Sequence, residues 1–363
     1  YNYNYLFNLI QTENKTNSDC EIIIHMYLKY GIEYTLQMLD GVFAFVLLDK
    51  KRKDIYIARD TFGVRPLFYM ESASSQYAFA SEMKMLVNIS DSSTIQSFLP
   101  GTYSKFHYKH FEYNDVWQPC FHNAVFSPIY TSINYSLKTE DDIYQMIRTN
   151  LMTAVSKRVL NCSGPPVACL LSGGLDSSLI TALVNAHFPR GQLETYSIGI
   201  KGSEDLKYAQ IVADFLGTKH TQIECDEQTF LDAIPETIKT IESYDTTTVR
   251  ASVGNYLVSK YISEHSEAKI IFNGDGSDEV CGGYMYFHYA PDAFAFDKEC
   301  RRLLKDIHYF DVLRSDRSIS SNGLEARTPF LDKHFVLNRL NLKYLLSKLF
   351  KKIPTILQSN YSM

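Results

Sequence analysis

The hydrophobic pattern changes period along the chain, and each change marks a different kind of element. Ile22, Ile23, Met26, Tyr27 and Tyr30 recur at helical spacing, with Ser18 or Asp19 at the start and Gly31 as C-cap. A second short helix is expected over 34–39, ending at Asp40-Gly41. From 41 to 82 the pattern becomes short apolar runs, at 42–48, 55–58, 66–69 and 77–80, separated by turn residues. Such runs predict an antiparallel sheet. Residues 83–140 are weakly patterned. The stretch 114–139, rich in Asn, Ser, Pro and Tyr and holding the only tryptophan, Trp117, reads as a linker. Beyond it, helices and strands alternate. Strands are expected over 167–171, 193–200, 219–225 and 269–272. Helices are expected over 140–160, after 174, over 205–216 with a stop at Gly217, and over 226–242 and 247–264. That alternation implies a parallel sheet covered on both faces. Right-handed crossovers then bring the loops at 172–177, 198–205 and 273–279 to one sheet edge.

Two loops on that edge carry chemistry. The first is Ser172-Gly173-Gly174-Leu175-Asp176-Ser177-Ser178, followed by Leu179, Ile180, Leu183 and Val184 at helical spacing. A strand thus reaches a helix N-terminus through a glycine turn, where unpaired N–H groups and the helix dipole favour an anion. Ser172, Ser177 and Ser178 add hydroxyl donors. Asp176 would repel a phosphate unless a divalent cation lies between them. The loop lacks the G-x-x-x-x-G-K-[ST] spacing of a Walker A motif. A glycine turn without a ligand is the plainer alternative, and the register of Ser172, Asp176 and Ser177 speaks against it.

The second loop, Asn273-Gly274-Asp275-Gly276-Ser277-Asp278-Glu279, sets three carboxylates directly after an apolar strand. Buried carboxylates are costly unless paired or metal-bound. Facing the first loop, they could hold Mg²⁺ against phosphates; a solvated acidic turn is the alternative. Arg314, Arg317 and Arg327 supply cations suited to carboxylate or phosphate, although Glu325 could pair with Arg327 internally. The phrases Arg59-Asp60-Thr61-Phe62-Gly63-Val64-Arg65 and Ala80-Ser81-Glu82-Met83-Lys84 read as buried ion pairs and turns at a domain interface rather than as catalytic groups.

Composition narrows the choice. A chain of 363 residues has room for two cores. A net charge of −5 offers no basic face for nucleic acid, and the longest apolar run, 42–48, is too short for a bilayer. Seven cysteines with no C-x-x-C pair argue against a disulfide framework and for a reducing cytoplasm. The chain opens on Tyr1, so it reads as a piece of a longer product.

The first loop is similar to that of the PP-loop ATP pyrophosphatases. With Ser18-Asp19-Cys20-Glu21, the 59–69 phrase, Asp205-Leu206-Lys207, Tyr244-Asp245-Thr246-Thr247, Gly276-Ser277-Asp278-Glu279 and Gly323-Leu324-Glu325-Ala326-Arg327, the chain resembles the glutamine-hydrolysing asparagine synthetase family. The resemblance implies an α/β protein. A C-terminal parallel-sheet PP-loop domain (adenine nucleotide α-hydrolase-like) over 140–345 would follow part of an antiparallel Ntn-type glutaminase domain (αββα) over 1–113, with a linker over 114–139 and a tail over 346–363. The implied activity is ATP-dependent synthesis of asparagine from aspartate through β-aspartyl-AMP, with glutamine or ammonia as nitrogen donor. ATP and Mg²⁺ are implied, a homodimer is admitted, and neither nucleic acid nor membrane is involved.

The residue roles follow from the same resemblance. Leu170 and Ile198 match adenine-contacting backbone. Ser172, Gly173, Gly174, Asp176 and Ser177 match the phosphate loop, with Asp176 and Asp278 on the metal. Asn273 and Gly274 match nucleotide contacts, and Asp275 matches the glutamate needed to form the adenylate. Glu279 is expected to meet aspartate and Asp19 to hold the amine of glutamine. Asp275 is one methylene shorter than the family glutamate, Asn273 stands for a serine, and a lysine-containing segment expected beyond 345 is not recognisable. The family nucleophile is an N-terminal cysteine, so Tyr1 implies no glutamine hydrolysis by the chain as written. A catalytically impaired paralogue, or a PP-loop ligase for another carboxylate, is the alternative; Thr246-Thr247-Thr248-Val249-Arg250-Ala251-Ser252 resembles the asparagine enzymes more.

Overall fold

Two units divide the chain: Tyr1–Pro128 with Ile238–Tyr244, and Ile129–Thr237 with Asp245–Met363. The structure, a computed structural model, describes residues 1–16, 18–72, 76–89, 94–111, 114–127, 139–160 and 166–340. The expected tail at 346–363 and the linker residues 128–138 lie outside these.

The first unit begins with three helices, α1 (Tyr3–Ile10), α2 (Glu21–Tyr30) and α3 (Ile32–Met38). Its strands are β1 (Ala44–Asp49), β2 (Asp54–Arg59), β3 (Phe68–Glu71), β4 (Tyr77–Ala80), β5 (Thr94–Ser97), β6 (Thr102–Phe111) and β7 (Asn114–Val125). They form two antiparallel sheets, ordered β1-β2-β6-β7 and β4-β3-β5. Tyr27, Ile32 and Leu36 seat α2 and α3 against Tyr56, Ala58 and Tyr103 of the larger sheet. Ile57 and Phe106 of the larger sheet meet Leu67, Tyr69, Phe79 and Phe98 beside the smaller one. Among the described residues the layers therefore run helix, sheet, sheet. The expected linker at 114–139 is corrected over its first part. Residues 114–125 are β7, and their long pairing with β6 gives Trp117 a place against the core.

The 59–65 phrase is a closed polar knot. Arg59 is 2% exposed. It donates to the carbonyls of Gly63 (2.8 Å), Arg65 (2.8 Å) and Phe98 (2.7 Å) and to Ser97 Oγ (3.0 Å). The Asp60 carboxylate accepts backbone N–H groups from Phe43, Phe62, Val64 and Arg65 at 3.0–3.2 Å. Gly63 turns the chain at φ +64°, where a side chain would run into Arg59 and Pro100.

The second unit contains α4 (Glu140–Leu160), β8 (Val167–Leu170), α5 (Leu175–Asn185), β9 (Glu194–Ile200), α6 (Glu204–Leu216) and β10 (Lys219–Cys225). After α7 (Glu227–Asp232) and α8 (Ile234–Ile241) come α9 (Thr246–His265), β11 (Ile270–Phe272) and α10 (Ser277–Cys281). The last elements are α11 (Ala293–Asp306), α12 (Asp311–Ser320), β12 (Glu325–Arg327) and α13 (Lys333–Leu340). All five strands are parallel, in the order β10-β9-β8-β11-β12. Val258 and Ile262 of α9 and Ile319 of α12 pack on Ala168, Tyr196, Ile271 and Ala326 of the sheet. Leu171, Ala209 and Ala213 seat α6. Gly217 ends α6 in the left-handed conformation, as its sequence position suggests.

Among the described residues, no helix is long and apolar enough to cross a membrane, and the six cysteines are free thiols. Removing the cation from the 59–65 knot would strand several buried acceptors. Arg59→Met is expected to destabilise the first unit by about 3 kcal/mol. Urea unfolding followed by the fluorescence of Trp117, which lies in that unit, reads the loss directly. An unchanged midpoint would show that the knot contributes nothing.

Candidate functional site

The strand order has one reversal. From β8 the chain steps outward through β9 to β10, then returns to β11 on the other side of β8. In open parallel sheets, the crevice at the carboxyl ends of the two diverging strands is where ligands bind. Both chemical loops leave these two strands.

In the first loop Gly173 sits at φ +80°, with the backbone of Tyr208 and Ala209 in α6 at 2.5 Å from where a Cβ would stand. Only glycine fits that approach. Gly174 enters α5 with extended backbone and supplies no side-chain cap. Ser177 Oγ lies 3.0 Å from Ser172 Oγ, accepts Ser172 N–H at 3.2 Å and reaches Gly174 O at 3.2 Å. The hydroxyls thus brace the loop across its mouth, while the first-turn amides of α5 keep no side-chain acceptor.

The second loop lies directly on the first. A Cβ at Gly274 would stand 3.0 Å from both Asp176 Cβ and Ser177 N. Between them is an open crevice of about 220 Å³. Of the residues nominated from sequence, Leu170, Ser172, Asp176, Ser177, Asn273, Gly274, Asp275 and Asp278 line it. Gly276 and Ser277 of the second loop, Asn255 from α9, and Asp311 and Arg314 from α12 complete the wall.

Other nominated residues lie elsewhere. Gly173 is spent on α6, and Gly174 on the helix start. Ile198, on β9, packs against the core cluster and is not in the wall. Asp19, in the first unit, is exposed beside Cys20, whose thiol is 3.6 Å from Asp19 Oδ1. Burial and then the Asp19 charge push that thiol up, away from a reactive thiolate. Glu279 was expected to meet aspartate; it is instead fully buried behind the loop, with Tyr284 donating to one of its oxygens.

Among the described residues the crevice is acidic, with four carboxylates (Asp176, Asp275, Asp278 and Asp311) against one guanidinium. Arg314 lies 3.2 Å from Asp275 Oδ1 and 3.0 Å from Asp311 Oδ1. Burial works against its charge, but those two carboxylates more than offset it and keep it protonated. Asp278 is pushed up from the usual carboxylate range by burial, then by the charges of Asp176 and Asp311. A cation between Asp176 and Asp278 would relieve that repulsion. Among the described residues no three His, Cys, Asp or Glu side chains form a metal cage by themselves. Mg²⁺ commonly takes only one or two carboxylates and completes its shell with phosphate oxygens and water, so the pair fits that mode.

Asp311 was not nominated from sequence. Its only local signal is that of a residue opening a helix, and its place in the wall depends on where α12 packs. Asn255 is likewise one polar residue inside a helix, with nothing local to distinguish it.

An asparagine synthase family model matches residues 146–295 and 290–352, and a glutamine amidotransferase domain model matches residues 1–117. The chain belongs to the asparagine synthase family. It is 41% identical over 352 residues to the asparagine synthetase [glutamine-hydrolyzing] of Mus musculus, and 40% identical over 352 residues to that of Homo sapiens. Each match covers 92% of this chain and 62% of the relative, so the chain spans about three fifths of the length of the curated relatives it matches. A solved NH3-dependent NAD synthetase from Campylobacter jejuni aligns with 39% of this chain and 60% of its own, at 23% identity and a TM-score of 0.29, a likeness too slight to build on.

Glu279 gives the site a pH dependence. Burial and the Asp311 charge raise its carboxyl to about 8, so folding favours its protonated form. Between the ordinary carboxylate range and about pH 8 the folded state holds more protons than the unfolded one, and this group's contribution to stability falls as pH rises. Glu279→Gln mimics the neutral form and lacks the effect. Its calorimetric melting temperature is expected to gain on the wild type as pH rises from about 5 to about 8. Parallel curves would place an ionised carboxylate there instead.

Proposed function

We propose that the second unit joins ATP to the side-chain carboxylate of aspartate, releasing pyrophosphate and leaving β-aspartyl-AMP, from which ammonia displaces AMP to give asparagine. The observation that carries this reading is the contact of the two loops at the sheet reversal, with Asp176 and Asp278 lining one crevice. A carboxylate is a poor electrophile, and adenylation supplies a leaving group. The amides at the start of α5 are set to donate to phosphate oxygens without reorganising, and the Ser172 and Ser177 hydroxyls, here bonded within the loop, would have to turn to join them. Asp176 and Asp278 would hold Mg²⁺, which when bound neutralises charge on the departing pyrophosphate. Arg314 keeps Asp275 and Asp311 ordered beside the reacting groups. The relatives' printed name, asparagine synthetase [glutamine-hydrolyzing], agrees with this substrate choice.

For the first unit we propose part of a glutaminase, with Asp19 placed to hold the amine of glutamine. The match to a glutamine amidotransferase domain supports it. The free cysteines suit a reducing, cytoplasmic setting.

Exchange of labelled pyrophosphate into ATP in the presence of aspartate tests the reaction. Asp176→Ala is expected to lower the exchange rate by roughly 100-fold or more. Exchange that survives the substitution intact, or that ignores aspartate, would overturn the assignment.

A further inference from the structure

We infer that Asn273 is a positioning residue: its amide and the Arg314 guanidinium each hold one oxygen of Asp275, and this clamp sets where the carboxylate stands in the crevice. The inference rests on the reaction proposed above. Asn273 is 5% exposed. Its Nδ2 donates to Asp275 Oδ2 at 2.8 Å and to Ser315 Oγ at 2.6 Å, so both amide hydrogens are used within the protein. Its Oδ1 faces the Asp275 N–H at 3.4 Å, and its own N–H goes to Arg327 O at 3.2 Å. Little of the side chain remains for a nucleotide.

The other half of the clamp comes from α12. Arg314 Nη2 meets Asp275 Oδ1 at 3.2 Å, and the next residue, Ser315, anchors Asn273. One helix therefore fixes both ends of the arrangement, and both side-chain torsions of Asp275 are determined. The need is electrostatic. Asp275 shares the crevice with Asp176, Asp278 and Asp311, and a carboxylate free to rotate there would swing toward whatever cation entered. Held back, it presents a fixed charge to the reacting carboxylate and nucleotide.

The clamp makes residues 273 and 275 interdependent. A serine at 273 cannot reach both Asp275 and Ser315, and a glutamate at 275 carries its carboxylate one methylene past the amide. Asn273→Ser and Asp275→Glu are each expected to lower the turnover of aspartate-dependent pyrophosphate exchange by about 10- to 100-fold with little change in KM. The Asn273→Ser/Asp275→Glu double variant is expected to exceed both singles, because the serine vacates the space the longer acid needs. Full turnover in Asn273→Ser, or single losses that simply multiply in the double variant, would overturn the clamp. A second arm does not use activity. Crystals of Asn273→Ser, or of the isosteric Asn273→Asp if the first does not fold, are expected to show the Asp275 carboxylate rotated, with Oδ2 moved from the place it holds beside Asn273. An unmoved Asp275 overturns the clamp. If the wild type shows no aspartate-dependent exchange, the proposed reaction fails, and the crystallographic result alone decides whether the clamp exists.

Discussion

The second unit depends on one close contact: Gly274 lies against Asp176 and Ser177 so closely that a Cβ there would stand 3.0 Å from both, and the neighbours would have to give way. It occurs where the sheet reverses, so two strands with no loop in common deliver their carboxyl ends to the same spot. A larger residue at 274 would force the loops apart and open the crevice. Gly173 does the equivalent work on the outer side, letting α6 close on the back of the first loop. Two glycines, one facing in and one facing out, thus confine the phosphate loop between the second loop and a helix.

Bringing the loops together concentrates negative charge. Four carboxylates line a small crevice, and Asp278 is pushed toward its protonated form first by burial and then by the charges of Asp176 and Asp311. Behind it, burial and then the Asp311 charge push Glu279 in the same direction. Among the described residues, one arginine, held protonated between Asp275 and Asp311, offsets only part of this. The remaining field is suited to a divalent cation arriving with its nucleotide, because the ion would restore charge that folding alone leaves unbalanced. Strain of this kind is common where a site is built for a charged ligand rather than for stability.

Four strands of the parallel sheet were legible because their signals are local; β12, only Glu325–Arg327, was not. Apolar runs followed by Gly-rich turns mark β8 and β11, and Gly217 ends α6 where the pattern says it should. The crevice-lining loops were legible for the same reason, since their acidic and hydroxyl residues lie within a few positions of a strand end. The first unit was less readable. The apolar stripe of α1, Leu6, Phe7 and Ile10, hides among asparagines and tyrosines, and burial on Ile22 and Met26 of α2 decides it. β6 and β7 escaped because their pairing contains a register shift and β7 contains Pro119 and Asn123, so neither alternates cleanly.

Sequence singled out Arg314 on α12 as a cation, but not Asp311 or Ser315, nor the direction the three share. Read locally, residues 311–317 are a charged helix start followed by two arginines. Only its packing on α9 and against the end of β11 gives Asp311, Arg314 and Ser315 a common direction. The same long-range placement changes the meaning of two residues that sequence reading had already singled out. Asn273, taken alone, looks like a ligand for nucleotide; with Ser315 beside it, it becomes a donor to Asp275. Glu279, taken alone, looks like a charge for aspartate; with Asp311 nearby and water excluded, it stands as a buried acid pushed toward its protonated form. In both cases the side chain is unchanged and its neighbours assign the role, so the chemistry of the second loop belongs to α12 as much as to the loop itself.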